Sequence, residues 1–225
     1  MRHKEDPHFS VPKHRTAKGA LRVEQLINAA AELFLERGFD GVAVDDLIAR
    51  VGGSRGNVYT HFGGKEGLFK EAMLHVCKEI SKPLEVLRIE GRDAADVLPS
   101  FGRALVQAAL SPRVLAVHKL LTVEGQNFPE VAQAMLSVSY QKVVDLLTDW
   151  VAKQQATSDG RLSRDLPAHV LAEQFVSMVT SDVKLRVIVG WVKLPLPEEQ
   201  VEALVSRAVH TFLHGADRSG QGKTK

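Results

Sequence analysis

Between residues 54 and 62 the chain reads Ser-Arg-Gly-Asn-Val-Tyr-Thr-His-Phe, a segment dense in groups that can read or grip a polar polymer. Val58 and Phe62 stand four apart, so a helix here turns both toward a core. That leaves Arg55, Asn57, Tyr59, Thr60 and His61 on or near its outer face. An arginine fork matches guanine O6 and N7, and an asparagine amide matches adenine N6 and N7. A polar, basic helix face by itself is most often only solvated. This one lies inside a longer pattern from Val23 to Phe69: an amphipathic helix, a glycine corner, a short helix, a Gly-Gly turn and a second short helix. Two short helices joined by a tight turn, the second carrying the polar groups, is an arrangement that inserts side chains into the DNA major groove.

The elements that must hold this face are legible one by one. Val23, Leu26, Ile27, Ala30, Leu33 and Phe34 line one side of the first helix. Arg37-Gly38 supplies a basic last turn and a glycine stop, and Phe39 is expected to pack back under that helix. Asp45 and Asp46 fall in the first turn of the second helix, where the helix dipole favours negative charge. Leu47, Ile48 and Val51 form its apolar side, Gly52-Gly53 ends it, and Ser54 is a natural N-cap for the third. Gly63-Gly64 stops that helix. Lys65 opens a fourth, expected to run to about Lys82 with Leu68, Phe69, Met73 and Val76 inward and Pro83 breaking it.

The segments AAAELFLERGFDG, VDDLIARVG and SRGNVYTHFGGKEGLF, in this order and spacing, closely resemble the DNA-binding domain of the tetracycline-repressor (TetR) family. The resemblance covers the first third of the chain, and its sharpest part is Tyr-x-His-Phe followed by Lys-Glu-x-Leu-Phe. It implies that Arg55, Gly56 and Asn57 face base edges, that Tyr59 and His61 hold phosphates, and that Lys65 holds another from the start of helix four. Ser54 and Thr60 belong to the same implied surface. Gly56 would act by absence, since a helix without a side chain there can approach the groove floor. The chain departs from the family pattern in placing Val42 and Ala43 where a Thr or Ser pair is usual, which removes a hydroxyl cap. Ile48 and Gly53 also depart, and a volume exchange between them is expected.

Composition agrees with a globular regulator. The chain has 225 residues with 44% apolar, enough for one large domain or for one small and one larger domain. No apolar run is long enough for a membrane span and no secretory leader is visible, so the expected location is cytoplasmic, with no membrane contact. The lone Cys77 excludes an intramolecular disulfide and is expected to be a buried small side chain rather than a redox sensor. The net charge is only +2, but residues 1–22 hold six Lys/Arg against two Asp/Glu, with His3, His8 and His14. This arm carries Pro7 and Pro12 without apolar periodicity and is expected to be disordered when free. It either contacts the phosphate backbone or an adjacent minor groove, or is a solvated tail.

Beyond Lys82 no strand-like alternation or repeat occurs. Helices are expected over about 93–110, 112–125, 129–156, 167–189 and 198–214, with loops around Thr157–Asp165 and Pro195–Pro197 and a disordered tail over 216–225. The expected fold is therefore all-α: a three-helix helix-turn-helix domain (23–70, helix four continuing to about 82) joined to a larger helical domain (83–215), with about nine helices in all. The segment Glu124-Gly-Gln-Asn-Phe-Pro-Glu-Val-Ala132 resembles the C-terminal domain of AefR-like members of the same family, which implies a homodimer through the last two long helices and a small-molecule cavity. The helix over 167–189 is apolar on more than one side, with Leu171, Phe175, Met178, Asp182, Leu185 and Val189 along one stripe, so more than one side must be covered.

Candidates for the cavity are His118, Met135, Trp150, Phe175, Met178 and Asp182. His118 lies on an apolar stripe and is either a hydrogen-bonded core histidine or a ligand contact. Asp182 is expected to pair with Lys184 or Arg186 across a dimer, or to edge a wet cavity. Met and aromatic residues at helical spacing are commonly core. His210 and His214 have metal-ligand spacing but no evident third ligand, so no metal and no cofactor are expected. Catalysis is not expected either: no phosphate loop, G-x-S-x-G, HExxH or CxxC motif occurs. The reading is a homodimeric, ligand-released repressor of double-stranded DNA, with a helical adaptor lacking DNA binding as the alternative.

Overall fold

The structure, a computed structural model, describes residues 17–52, 54–85, 88–91, 93–157 and 162–215. Every element among them is helical. The chain divides into two units, Met1–Val76 and Cys77–Lys225. The first contains α1 (Ala17–Arg37), α2 (Val44–Val51), α3 (Arg55–Phe62) and the beginning of α4 (Lys65–Glu85). The second contains the end of α4 and then α5 (Ala94–Ala109), α6 (Pro112–Glu124), α7 (Pro129–Met135), a π-helical segment (Leu136–Gln141), α8 (Lys142–Ala156), α9 (Ala168–Ile188) and α10 (Glu198–His214). α7, the π segment and α8 run on without a break, so the described residues form nine continuous rods.

In the first unit Leu26, Ala30, Leu33, Phe34, Leu47, Val58, Leu68, Phe69 and Met73 are buried, as their spacing requires. Phe34, Phe39 and Phe69 meet at its centre: Phe69 is edge-on to both others at 5.1 Å, and Phe39 stacks on Phe34 at 6.1 Å. Phe39 thus packs under α1 as expected. Gly67 permits the close passage between the end of α3 and α4, because a Cβ there would meet the Phe62 carbonyl oxygen at 1.8 Å. In the second unit α5, α8, α9 and α10 share one core built on Leu98, Phe101, Leu147, Trp150, Phe175 and Val205.

Two expectations change. α1 begins at Ala17, so residues 17–22 are its first turns rather than the end of an arm. Apolar periodicity marks only the buried part of a helix, and exposed Ala, Leu and Arg extend it by propensity alone. Residues 1–16, Gly53 and the tail over 216–225 lie outside the described residues, and with them the rest of the arm and the Ile48–Gly53 exchange. Pro83 does not break α4, which continues to Glu85. The two units divide inside α4, after Val76, within the helix expected to continue from the first domain to about residue 82. α2 has no side-chain N-cap at Ala43, as expected; Asp46 instead reaches back to accept a hydrogen bond from the Ala43 amide at 3.1 Å.

Candidate nucleic-acid interface and cavity

α3 is short and capped at both ends. Ser54 accepts a hydrogen bond from the Asn57 amide at 3.3 Å. Gly63 closes the other end in the left-handed conformation, φ 74°, with its amide donating to the Tyr59 carbonyl at 2.9 Å. Between these caps Val58 is buried and Phe62 half-buried, whereas Ser54, Arg55, Gly56, Asn57, Tyr59, Thr60 and His61 are exposed. Tyr59 keeps 61% of its surface, a large exposure for an aromatic side chain. A Cβ at Gly56 would meet only Ser54 Oγ, at 3.7 Å, so the fold itself does not require glycine there.

Two residues of this surface are held in place. Arg55 donates from Nε to Asp45 Oδ1 at 2.6 Å and from Nη2 to Asp45 Oδ2, a two-pronged pair between α3 and α2. The hydrogen bonds from Arg55 hold the Asp45 carboxyl below its ordinary pKa and raise that of Arg55. Sequence reasoning gave Asp45 only a helix-start role. Its partnership was invisible there because the two residues are ten positions apart on different helices. Lys65, half-buried at the start of α4, places its ammonium 4.3 Å from the centre of the Phe39 ring.

The second unit contains a cavity of about 400 Å³ between α4, α5, α6, the π segment, the start of α8 and α9. His118 lines it. Burial first, and nearby Lys184 second, push the His118 pKa down to about 4. Lys184 Nζ lies 3.5 Å from His118 Nε2, and burial lowers its pKa as well. Arg113 Nη2 pairs with Glu79 Oε2 at 2.7 Å on the same wall. The π segment contributes Leu136, Ser139 and Tyr140. π turns recur at functional sites because the extra residue redirects side chains.

The other five expected cavity residues do not line it. Met135, Trp150 and Phe175 are core: the Trp150 indole N–H donates to the Gly91 carbonyl at 3.0 Å, and Phe175 packs edge-on to Phe212 at 5.2 Å. Met178 is exposed. Asp182 pairs with Arg186 on its own helix at 2.8 Å, largely exposed at the edge of a second, separate pocket between α9 and α10. Periodicity placed Phe175, Met178 and Asp182 on α9 correctly but merged two faces of the stripe: Leu171 and Phe175 point inward, and Met178, Asp182, Leu185 and the capping Val189 outward. The cavity residues that were missed, Glu79, Arg113, Tyr140 and Lys184, come from four segments with no shared spacing. The His210 and His214 rings lie 4.9 Å apart, and the described residues hold no cluster of three metal-binding side chains. Cys77 is buried, which pushes its thiol up to about 11. No helix among the described residues is long and apolar enough to cross a membrane.

Residues 26–72 match the model of bacterial regulatory proteins of the tetR family, and residues 96–215 match that of the AefR-like transcriptional repressor C-terminal domain. The HTH-type transcriptional regulator UidR of Escherichia coli K12 is 30% identical over 146 residues, which span 63% of this chain and 69% of UidR. Among solved structures, the flavonoid-responsive regulator FrrA superposes with a TM-score of 0.67 at 23% identity, covering 86% of this chain and 96% of FrrA. FadR from Bacillus subtilis, solved with stearoyl-CoA, gives 0.60 at 16% identity, covering 86% and 99%. With a helix-turn-helix unit and a helical second unit each matched in their own right, the chain belongs to the TetR family of DNA-binding, non-enzymatic transcriptional regulators, with a C-terminal domain of the AefR-like type.

Proposed function

We propose that the protein is a homodimeric repressor that binds a pseudo-palindromic operator and is released from it by a small molecule. The observation that carries the DNA half is α3: one side buries Val58, while Arg55, Asn57, Tyr59, Thr60 and His61 all stand exposed beside a glycine that the fold does not need. In this reading Arg55 and Asn57 read base edges with Gly56 close to the groove. Ser54, Tyr59, Thr60, His61 and Lys65 grip or flank the phosphates. One short helix makes few contacts, so two copies related by a two-fold axis supply the affinity.

The outward face of α9 supports pairing. Met178, Leu185 and Val189 are exposed in sequence, Leu185 at 59% and Val189 at 64%, which is unusual for a helix otherwise packed in the core. The cavity supports the ligand, and two relatives of this fold are described respectively as flavonoid-responsive and as bound to stearoyl-CoA. α4 is the physical link: it carries Lys65 at its start, and Glu79, Ile80, Pro83 and Leu84 of the cavity wall near its end. A ligand that binds one setting of this helix better than another shifts the population by its differential affinity.

Selection of bound fragments from randomised DNA tests the proposal. The expected product is an inverted repeat. Lys65→Ala is expected to weaken all sequences alike and to flatten the dependence of affinity on salt. Recovery of no common site, or of an unpaired half-site, would overturn it.

A further inference from the structure

The polar groups around the cavity are unevenly matched. Glu79 is the only acid among its described lining residues, and it is paired with Arg113. Lys184, on the facing α9, has no carboxylate within ion-pair distance among the described residues. Its one polar partner is His118 Nε2, 3.5 Å away at the outer limit of a hydrogen bond. An ammonium drawn partly out of water without a counter-ion is costly. The depressed pKa values of Lys184 and His118 are the expression of that cost, and they leave the imidazole neutral. The surroundings are otherwise apolar, with Leu84, Leu105, Val114, Val143 and Val176 forming the walls. A volume of about 400 Å³ lies toward the lower end of the range for small-molecule sites, roughly 300–1,000 Å³.

These features define a complement: one negative charge at the Lys184 end, and a compact hydrocarbon body. We propose that the cavity binds a small apolar monocarboxylic acid, its carboxylate against Lys184 Nζ and His118 and its hydrocarbon part between Leu84, Leu105, Val143 and Val176. The ligand carboxylate then supplies the counter-ion that the protein itself does not. Its negative charge also favours the charged forms of both neighbours. A neutral ligand of the same shape fills the walls but leaves Lys184 uncompensated, so charge rather than shape sets the selectivity. The ligand class rests on the regulator reading only for its biological role, because binding itself is measured without DNA.

The experiment is calorimetric titration of the full chain with octanoate and 3-phenylpropanoate, each compared with its uncharged amide. At least one acid is expected to bind, at least about tenfold more tightly than its amide, the loss of one charge-assisted contact. Lys184→Met is expected to erase that preference by weakening the acid alone, and Lys184→Arg to keep it. Equal binding of acid and amide to the unmodified protein, or no binding of either acid, overturns the proposal, and this comparison needs no variant to fold. A preference that survives Lys184→Met in a folded protein overturns it too. A protein that binds octanoate without releasing DNA leaves the ligand class standing and removes the release mechanism. One that binds DNA but neither acid does the reverse.

Discussion

In the proposed interface, Asp45 prepares Arg55 for base recognition. The carboxylate takes the Nε edge of the guanidinium and one hydrogen of Nη2, leaving the outer Nη1 and Nη2 hydrogens free to make the two-pronged contact that a guanine accepts. Arg55→Ala is expected to reduce discrimination between the preferred site and one substituted at its contacted base by about one to two orders of magnitude. Asp45→Asn should lower discrimination in the same direction while leaving random-sequence binding equal or tighter, because a charge repelled by phosphate has gone. Competition titrations with the two DNAs measure both. His118 makes a prediction of opposite character. Its ordinary pKa is 6.5 and its pKa in the fold is about 4. Above 6.5 it is neutral folded and unfolded and contributes no pH dependence. As pH falls from 6.5 toward 4 only the unfolded chain takes up the proton, so stability declines, and below about 4 the decline ends. Between about pH 7 and pH 5 this amounts to about 1–2 kcal/mol, because solvent screens part of the effect at a ring that is only half-buried. Urea unfolding at both pH values should show a smaller decline for His118→Gln by about that amount, with the surrounding Lys184, Glu79, Arg113 and Tyr140 unchanged.

At the scale of elements, two glycines separate what folds the DNA-binding unit from what it does. Gly67 sits where a Cβ would collide with the backbone carbonyl of Phe62, so Gly67→Ala must push α3 away from α4. A loss of about 1–3 kcal/mol is expected, the usual cost of overpacking, and thermal unfolding would detect it. Gly56→Ala meets only an ordinary contact with Ser54 Oγ on a helix and should keep or raise stability by up to about 1 kcal/mol. Its effect should appear instead in DNA titrations as weaker binding. The reverse pattern, with Gly56 costing stability and Gly67 costing only DNA affinity, would mean that the roles of these two turns have been exchanged. The π segment belongs to this scale as well. Ser139 donates to the Met135 carbonyl at 2.6 Å, and this local bond accompanies the shifted register that brings Leu136, Ser139 and Tyr140 to one cavity wall.

For the whole molecule, the prediction concerns assembly. Leu185 and Val189 are exposed on a helix whose other faces are buried, and Trp191 just beyond it keeps 76% of its surface. Val189→Asp is expected to leave the helical content unchanged and to yield a monomer by sedimentation, with operator affinity falling steeply because each half-site is then gripped alone. A dimer that survives this substitution would move the pairing surface elsewhere on the chain.

Local patterns and long-range geometry divided the problem between them. Helix order, both caps of α3, the buried Val58 and the exposed polar face of α3 were readable because each depends on residues within one or two turns of each other, where side-chain spacing and capping chemistry act directly. Tertiary structure alone decided the rest. It paired Asp45 with Arg55, turned Met178 and Asp182 outward, and returned Met135, Trp150 and Phe175 to the core. It also assembled Glu79, Arg113, His118, Tyr140 and Lys184 around one cavity. A cavity wall takes one or two residues from each of several helices, and the rotation and offset of those helices come from packing of the entire core. No spacing within a single helix records them.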